Sequence, residues 1–159
     1  MSKYEVVDKP AFTVVGIGTA LKSDYMDQAS LNKEKETYFS QTHEDGTVEK
    51  LKKIAKNDFL FVVNEAVDNE MMHYVGVESD QKYAEATRMI QFPEGAYIVV
   101  AAEADLVYAL TEKLTGIAFG EVLYTVADYA YVGGPNAAVI QEEKDGIFSG
   151  EMWIPVVKQ

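Results

Sequence analysis

Apolar positions along the chain fall into short strand-length runs separated by two helical stretches, and the same order occurs twice. Tyr4–Val7 and Ala11–Ile17 are extended by composition, with Asp8-Lys9-Pro10 between them as a bulge or edge position. Gly16, Gly18 and the polar segment to Ser30 read as a loop. Good helix formers dominate from Leu31 to Thr42. In a second helical piece, Val48–Ala55, residues Val48, Leu51, Ile54 and Ala55 share one face. Thr47 can cap it, with Lys50 rather than Glu at the capping-box position. Glu44-Asp45-Gly46 breaks the two pieces. Phe59–Val63 and Met72–Val77 then read as a hairpin-like pair of strands around an Asp68-Asn69 turn.

The second half turns on MIQFPEGAYIVVAA, Met89–Ala102. Pro93 presets φ for a corner and Gly95 accepts the φ a tight turn demands. Ala96–Ala102 is a near-continuous apolar run that suits a strand covered on both faces. Leu106, Val107, Leu110, Leu114 and Ile117 keep helical spacing, with Asp105 as N-cap and Gly120 as the stop. Tyr129–Val132 is a strand halted by Gly133-Gly134-Pro135, Asn136–Gly146 is mostly polar and reads as a loop, and Phe148–Val157 is the last strand. The pattern predicts a single α+β domain over 1–159, built of duplicated strand-helix-strand-strand units (halves near 1–80 and 81–159). Their antiparallel sheets would pair around a pseudo-twofold axis, with a central ligand cleft at the seam.

Composition narrows the function classes. The chain has 159 residues, enough for a real core, and no cysteine, so thiolate chemistry and disulfides are excluded. Its apolar runs are too short to span a bilayer and its start lacks a secretory signal, so a membrane is not an expected partner and the cytoplasm is the expected location. The formal net charge of −12 argues against direct nucleic-acid binding, which needs a basic surface. That acidity serves solubility or attracts cationic ligands. Ten Tyr, seven Phe and one Trp give the second reading substance, since aromatic faces and carboxylates together suit lipophilic cations.

Among single residues, Glu151 is the most informative ionisable group. Strand alternation puts Glu151, Trp153 and Pro155 on one face and Met152, Ile154 and Val156 on the other. A carboxylate beside an indole is a receptor for a delocalised cation, or else both lie on a solvated sheet face with Glu151 paired to a lysine. Tyr129 and Tyr131 share a strand face, and Tyr97 and Tyr74 lie on strands; each either lines a cleft or is an ordinary strand former. Tyr38 and Phe39 close the first helical piece, where core packing suits at least one of them. His43 in an acidic loop and His73 in a strand lack metal-ligand spacing, the Gly16-x-Gly18 pair lacks a third glycine, and Glu142-Glu143 sits in the polar segment. No cofactor or metal is expected.

The central QFPEGAYIVV resembles the Pro-x-Gly-x-Tyr turn of the GyrI-like, or effector-binding, domains, which end multidrug-responsive transcription regulators and also occur alone. YEVVDKPAFTVVGI and GEMWIPV resemble the first and last strands of that family. The resemblance spans nearly the whole chain. It implies two strand-helix-strand-strand units around a cleft that binds bulky, lipophilic, aromatic and often cationic molecules. The family's last-strand acid falls on Glu151, and its aromatic pocket on Trp153, Phe148, Phe61 and Tyr38. One departure concerns the penultimate strand, where some members carry a buried Glu after an aromatic: here Tyr129 is followed by Ala130, leaving Asp128 and Glu151 as the substitutes. No helix-turn-helix accompanies the domain, which is expected to stand alone. The resemblance thus implies a sequestering or sensing module for such compounds. One alternative is a hydrolase that opens cyclopropane rings of DNA-alkylating natural products, with Glu151 as general base and Trp153 as a stacking wall. A second is an interaction protein that modulates a DNA-modifying enzyme.

Overall fold

An antiparallel sheet frames the computed structural model, which describes residues 4–24, 26–131 and 134–159. In chain order come β1 (Glu5–Lys9), β2 (Phe12–Ala20), α1 (Gln28–Glu44), α2 (Thr47–Lys52), β3 (Leu60–Val67), β4 (Glu70–Glu78) and β5 (Arg88–Phe92). Then follow β6 (Gly95–Ala104), α3 (Val107–Ile117), a π-helical turn (Ala118–Val122), α4 (Leu123–Thr125), β7 (Tyr129–Tyr131), β8 (Asn136–Lys144) and β9 (Ile147–Lys158). Across the sheet the order is β1-β6-β9-β8-β3-β4-β2-β5, with β7 flanking β9.

The duplication is real, with β2-α1-α2-β3-β4 repeated as β6-α3-β8-β9 and the two units joined at the β3–β8 seam. Each unit is preceded by a strand that pairs with the other unit. β1 lies on β6 and β5 lies on β2. The short links Pro10-Ala11 and Pro93-Glu94 therefore join strands near opposite ends of the sheet. In a flat sheet β1 and β2 would lie about 29 Å apart at ~4.8 Å per strand, whereas so short a link reaches only about 11 Å. The sheet must curl into a half-barrel. Phe12 of β2 accordingly meets Trp153 of β9 at 5.7 Å and Tyr97 of β6 at 6.2 Å between ring centroids.

The curl defines two faces. Inside it lie Val14, Phe61, Val63, Tyr74, Ile90, Phe92, Tyr97 and Trp153. Outside it, Val15, Val62, Val75, Ile98, Met152 and Ile154 pack under the helices with Leu110 and Leu114. β6 has both faces covered over Tyr97–Val100, as its apolar run predicts. The Pro-x-Gly-x-Tyr turn closes on itself: Gly95 takes φ 142° and the Tyr97 hydroxyl donates to the carbonyl of Pro93 at 2.6 Å.

Several expectations are corrected. Asn136–Gly146 is not a loop; its first nine residues are β8, joined to β9 by a two-residue turn at Asp145 (φ 54°) and Gly146 (φ 80°). Tyr129–Tyr131 is a short flanking strand rather than the inner strand of its unit, and Val132 and Gly133 lie outside the described residues. β2 runs on through Gly16 and Gly18, because both glycines lie beneath the Tyr74 ring and a Cβ at Gly18 would overlap it. Asp8 and Lys9 belong to β1, and Met89–Phe92 to a strand of its own. The helix after Asp105 has Leu106 at its N-cap and continues past Gly120 by a π-helical turn. Gly46, with φ 82°, stands at the α2 N-cap in place of Thr47. His43 ends α1, its Nδ1 2.9 Å from the carbonyl of Phe39. Among the described residues no helix is long and apolar enough to cross a membrane.

Candidate functional site

The two long helices dock on the outer face unequally. α3 seats Leu110 and Leu114 fully in the core. α1 buries Leu31 and Thr42 but presents Asn32 and Lys35 between them, so it does not seal against the sheet. A cleft results between α1 and α3, floored by Val62 and Asn64 of β3, His73 of β4 and Ala138 of β8. One lobe, walled by Thr111, Glu112, Thr115 and Gly116 of α3, has a volume of about 190 Å³. The adjoining lobe, about 350 Å³, is lined by Leu31, Met71, Phe119, Tyr131 and Asn136 among others. Lys35 lines both lobes. The π-helical turn carries Phe119, which meets Tyr131 edge-on at 5.8 Å.

The floor is polar where the rest of the outer face is apolar. Strand register sets Asn136 beside Asn64 and Asn64 beside His73, a row across three adjacent strands. His73 is 2% exposed and its Nδ1 lies 2.8 Å from Oδ1 of Asn64. Burial, reinforced by the charge of Lys35, pushes His73 down to about 3, so its imidazole is neutral at physiological pH. Burial likewise lowers the Lys35 ammonium below the usual lysine range, an effect that the Glu112 carboxylate partly offsets. The Asn136 amide donates to the Tyr131 hydroxyl at 3.2 Å, and that hydroxyl donates to the carbonyl of Gly134. Burial raises the Tyr131 phenol. The arrangement suits holding a ligand over a neutral polar floor, against the apolar side chains of the larger lobe and beside Lys35 and Glu112 in the smaller. Among the described residues no cluster of His, Cys, Asp or Glu could hold a metal ion.

The residues singled out in the sequence do not share one side of the sheet. Tyr131 lines the cleft. Tyr38 touches His73 edge-on at 6.2 Å and lines a polar, solvent-open groove between α1 and the end of β2. Phe148 packs on the outer core near the start of β9. Glu151, Trp153, Phe61 and Tyr97 belong to the inner face instead. There the Trp153 indole donates to Glu151 at 2.9 Å, Gln141 donates to the same carboxylate oxygen at 3.1 Å, and Phe61 meets Trp153 edge-on at 5.6 Å. Glu151 also borders a shallow groove with Tyr4, Glu5, Val99 and Ala101.

Sequence reasoning missed Asn32, Lys35, Asn64, Thr111, Thr115 and Asn136, and weighed His73 only as a metal ligand. The usable signal was polarity at a core position. Asn64 follows Val62 on the same face of an apolar strand, and His73 precedes Val75.

No curated protein matches the chain. Solved structures share its fold. SAV2435 bound to tetraphenylphosphonium superposes with a TM-score of 0.75 at 17% identity, over 98% of this chain and 94% of that one. A Staphylococcus aureus MU50 protein assigned to bacterial transcription regulation gives 0.74 at 17% identity, over 98% and 99%. An integron cassette protein of Vibrio cholerae gives 0.63 at 11% identity, over 97% and 95%. Sequence carries the assignment further than these folds do: residues 5–156 match the family model Cass2, and the chain belongs to that family of integron-associated effector binding proteins.

Proposed function

We propose that the chain binds a bulky, lipophilic, aromatic small molecule, cations included, in the cleft between α1 and α3, and acts as a sequestering or sensing module. The observation that carries this reading is the cleft itself: Leu31, Phe39, Val107 and Phe119 supply apolar surface above a floor that holds the buried His73 and Asn136. Membership of an effector-binding family and the tetraphenylphosphonium held by a protein of the same fold support it. The reading assigns binding to the helix side of the sheet. Glu151 and Trp153, on the other side, have no part in it.

Calorimetric titration with tetraphenylphosphonium tests the reading. Gly116 lines the cleft and has open space where a Cβ would project, so Gly116→Trp adds bulk at the cleft wall without disturbing the core. Saturable binding is expected in the wild type and in Glu151→Gln, and a loss of at least about tenfold in Gly116→Trp, the equivalent of ~1.4 kcal/mol. Unaltered binding in Gly116→Trp, or a loss confined to Glu151→Gln, would move the site to the inner face.

A further inference from the structure

We infer that the ligand of this cleft carries a hydrogen-bond donor, an N–H or O–H, which it gives to Nε2 of His73. The inference rests on the cleft reading above and names the chemistry that this floor selects.

The tautomer follows from the partner. Oδ1 of Asn64 is a carbonyl oxygen and can only accept, so the proton of the ring sits on Nδ1, 2.8 Å away. Nε2 is then a bare acceptor. It is fully buried and has no hydrogen-bond partner among the described residues. His73 lines the smaller, 190 Å³ lobe, together with Lys35 and Glu112. The neighbouring neutral donors are committed elsewhere: the Thr111 hydroxyl donates to the carbonyl of Tyr108 at 2.9 Å, and the Asn136 amide to Tyr131. The Asn32 amide and the Lys35 ammonium are the remaining side-chain donors that line the lobe from α1, and the ammonium is itself held partly out of water. Buried acceptors in folded proteins are almost always paired, by protein or by ordered water, and a ligand that displaces such a water has to supply the donor itself. A ligand donor removes a desolvation penalty that a donor-free ligand of the same shape leaves in place. Selectivity of this kind is steep, because the cost falls on the analogue that lacks the group.

The test compares 2-naphthol with 2-methoxynaphthalene by fluorescence titration at pH 7. Both are neutral there and share one ring system, but the second has no donor. The expected result is binding of 2-naphthol about tenfold tighter in the wild type. In His73→Phe the ratio of the two affinities falls to about one; in Lys35→Met the ratio persists. The ¹⁵N resonance of Nε2 in the wild type is expected to move on addition of 2-naphthol and to stay in place with the methyl ether, which reads the contact without any variant. Equal or reversed affinities in the wild type overturn the inference and leave the cleft reading standing. A ratio lost in Lys35→Met but kept in His73→Phe assigns the contact to the lysine and also overturns it. Binding of neither probe by a protein that binds tetraphenylphosphonium overturns this inference alone; if tetraphenylphosphonium is not bound either, the cleft reading falls with it.

Discussion

The ammonium of Lys9 sits 3.8 Å above the ring centroid of Trp153. The chain thus supplies its own cation to the aromatic face that Glu151 flanks. β1 carries the lysine and β9 the indole, so the contact bridges β6, the strand that separates them. Glu151, by accepting from the indole N–H, orients the ring beneath that charge.

Lys9→Met keeps the aliphatic stem and removes the charge. It is expected to destabilise the protein by about 0.5–2 kcal/mol, the range of a cation–π contact. Urea unfolding followed by the emission of the single tryptophan would measure it, and Lys9→Arg is expected to recover most of the loss.

His73 makes stability depend on pH. Its folded-state value of about 3 lies below the 6.5 of an unperturbed histidine, so the unfolded chain binds the proton more readily between those limits. Stability is therefore complete above the unfolded value and is lost as pH falls from ~6.5 toward 3, by an amount on the order of several kcal/mol. Unfolding free energies at pH 7 and pH 4 are expected to differ more in the wild type than in His73→Phe. A proton titration in which His73 stays neutral to pH 4 would show the same effect directly.

Arg88 of β5 holds Glu65 of β3 through both guanidinium and carboxylate edges, at 2.8 and 3.1 Å, with the Tyr74 hydroxyl on the same carboxylate at 3.3 Å. Glu65 is 8% exposed. Arg88→Met leaves that carboxylate without its countercharge and is expected to cost about 1–3 kcal/mol. The double variant with Glu65→Gln is expected to be more stable than Arg88→Met alone, as a double-mutant cycle on urea midpoints would show.

Much of the fold was legible because its signals are local. The Pro93-Glu94-Gly95 corner, the Asp68-Asn69 hairpin turn and the apolar run of β6 each lie within a few residues of the effects they cause. β8 was misread because Gln141-Glu142-Glu143-Lys144, its solvent-side end, outweighs Ala137–Ile140, its buried end, in a composition count. The Asp145-Gly146 pair that announces the β8–β9 hairpin was read as part of that loop. Alternation separated Glu151 and Trp153 from Met152 and Ile154 correctly, yet it could not say which face would receive the helices. That choice depends on the direction of curl. The row of Asn136, Asn64 and His73 was invisible for a related reason: it exists only once β8, β3 and β4 are in register, and the three residues are scattered along the chain.

The exchange of leading strands also bears on how the molecule is made. During synthesis β1 emerges first but has no pairing partner until β6 has followed it, some ninety residues later. β2 acquires one neighbour early, from β4, and its second only with β5. A nascent chain stopped near residue 80 therefore exposes unpaired strand edges on both sides, and contacts of such long sequence separation form slowly. The duplicated halves resemble two small domains on paper, yet each completes its sheet with a strand that leads the other.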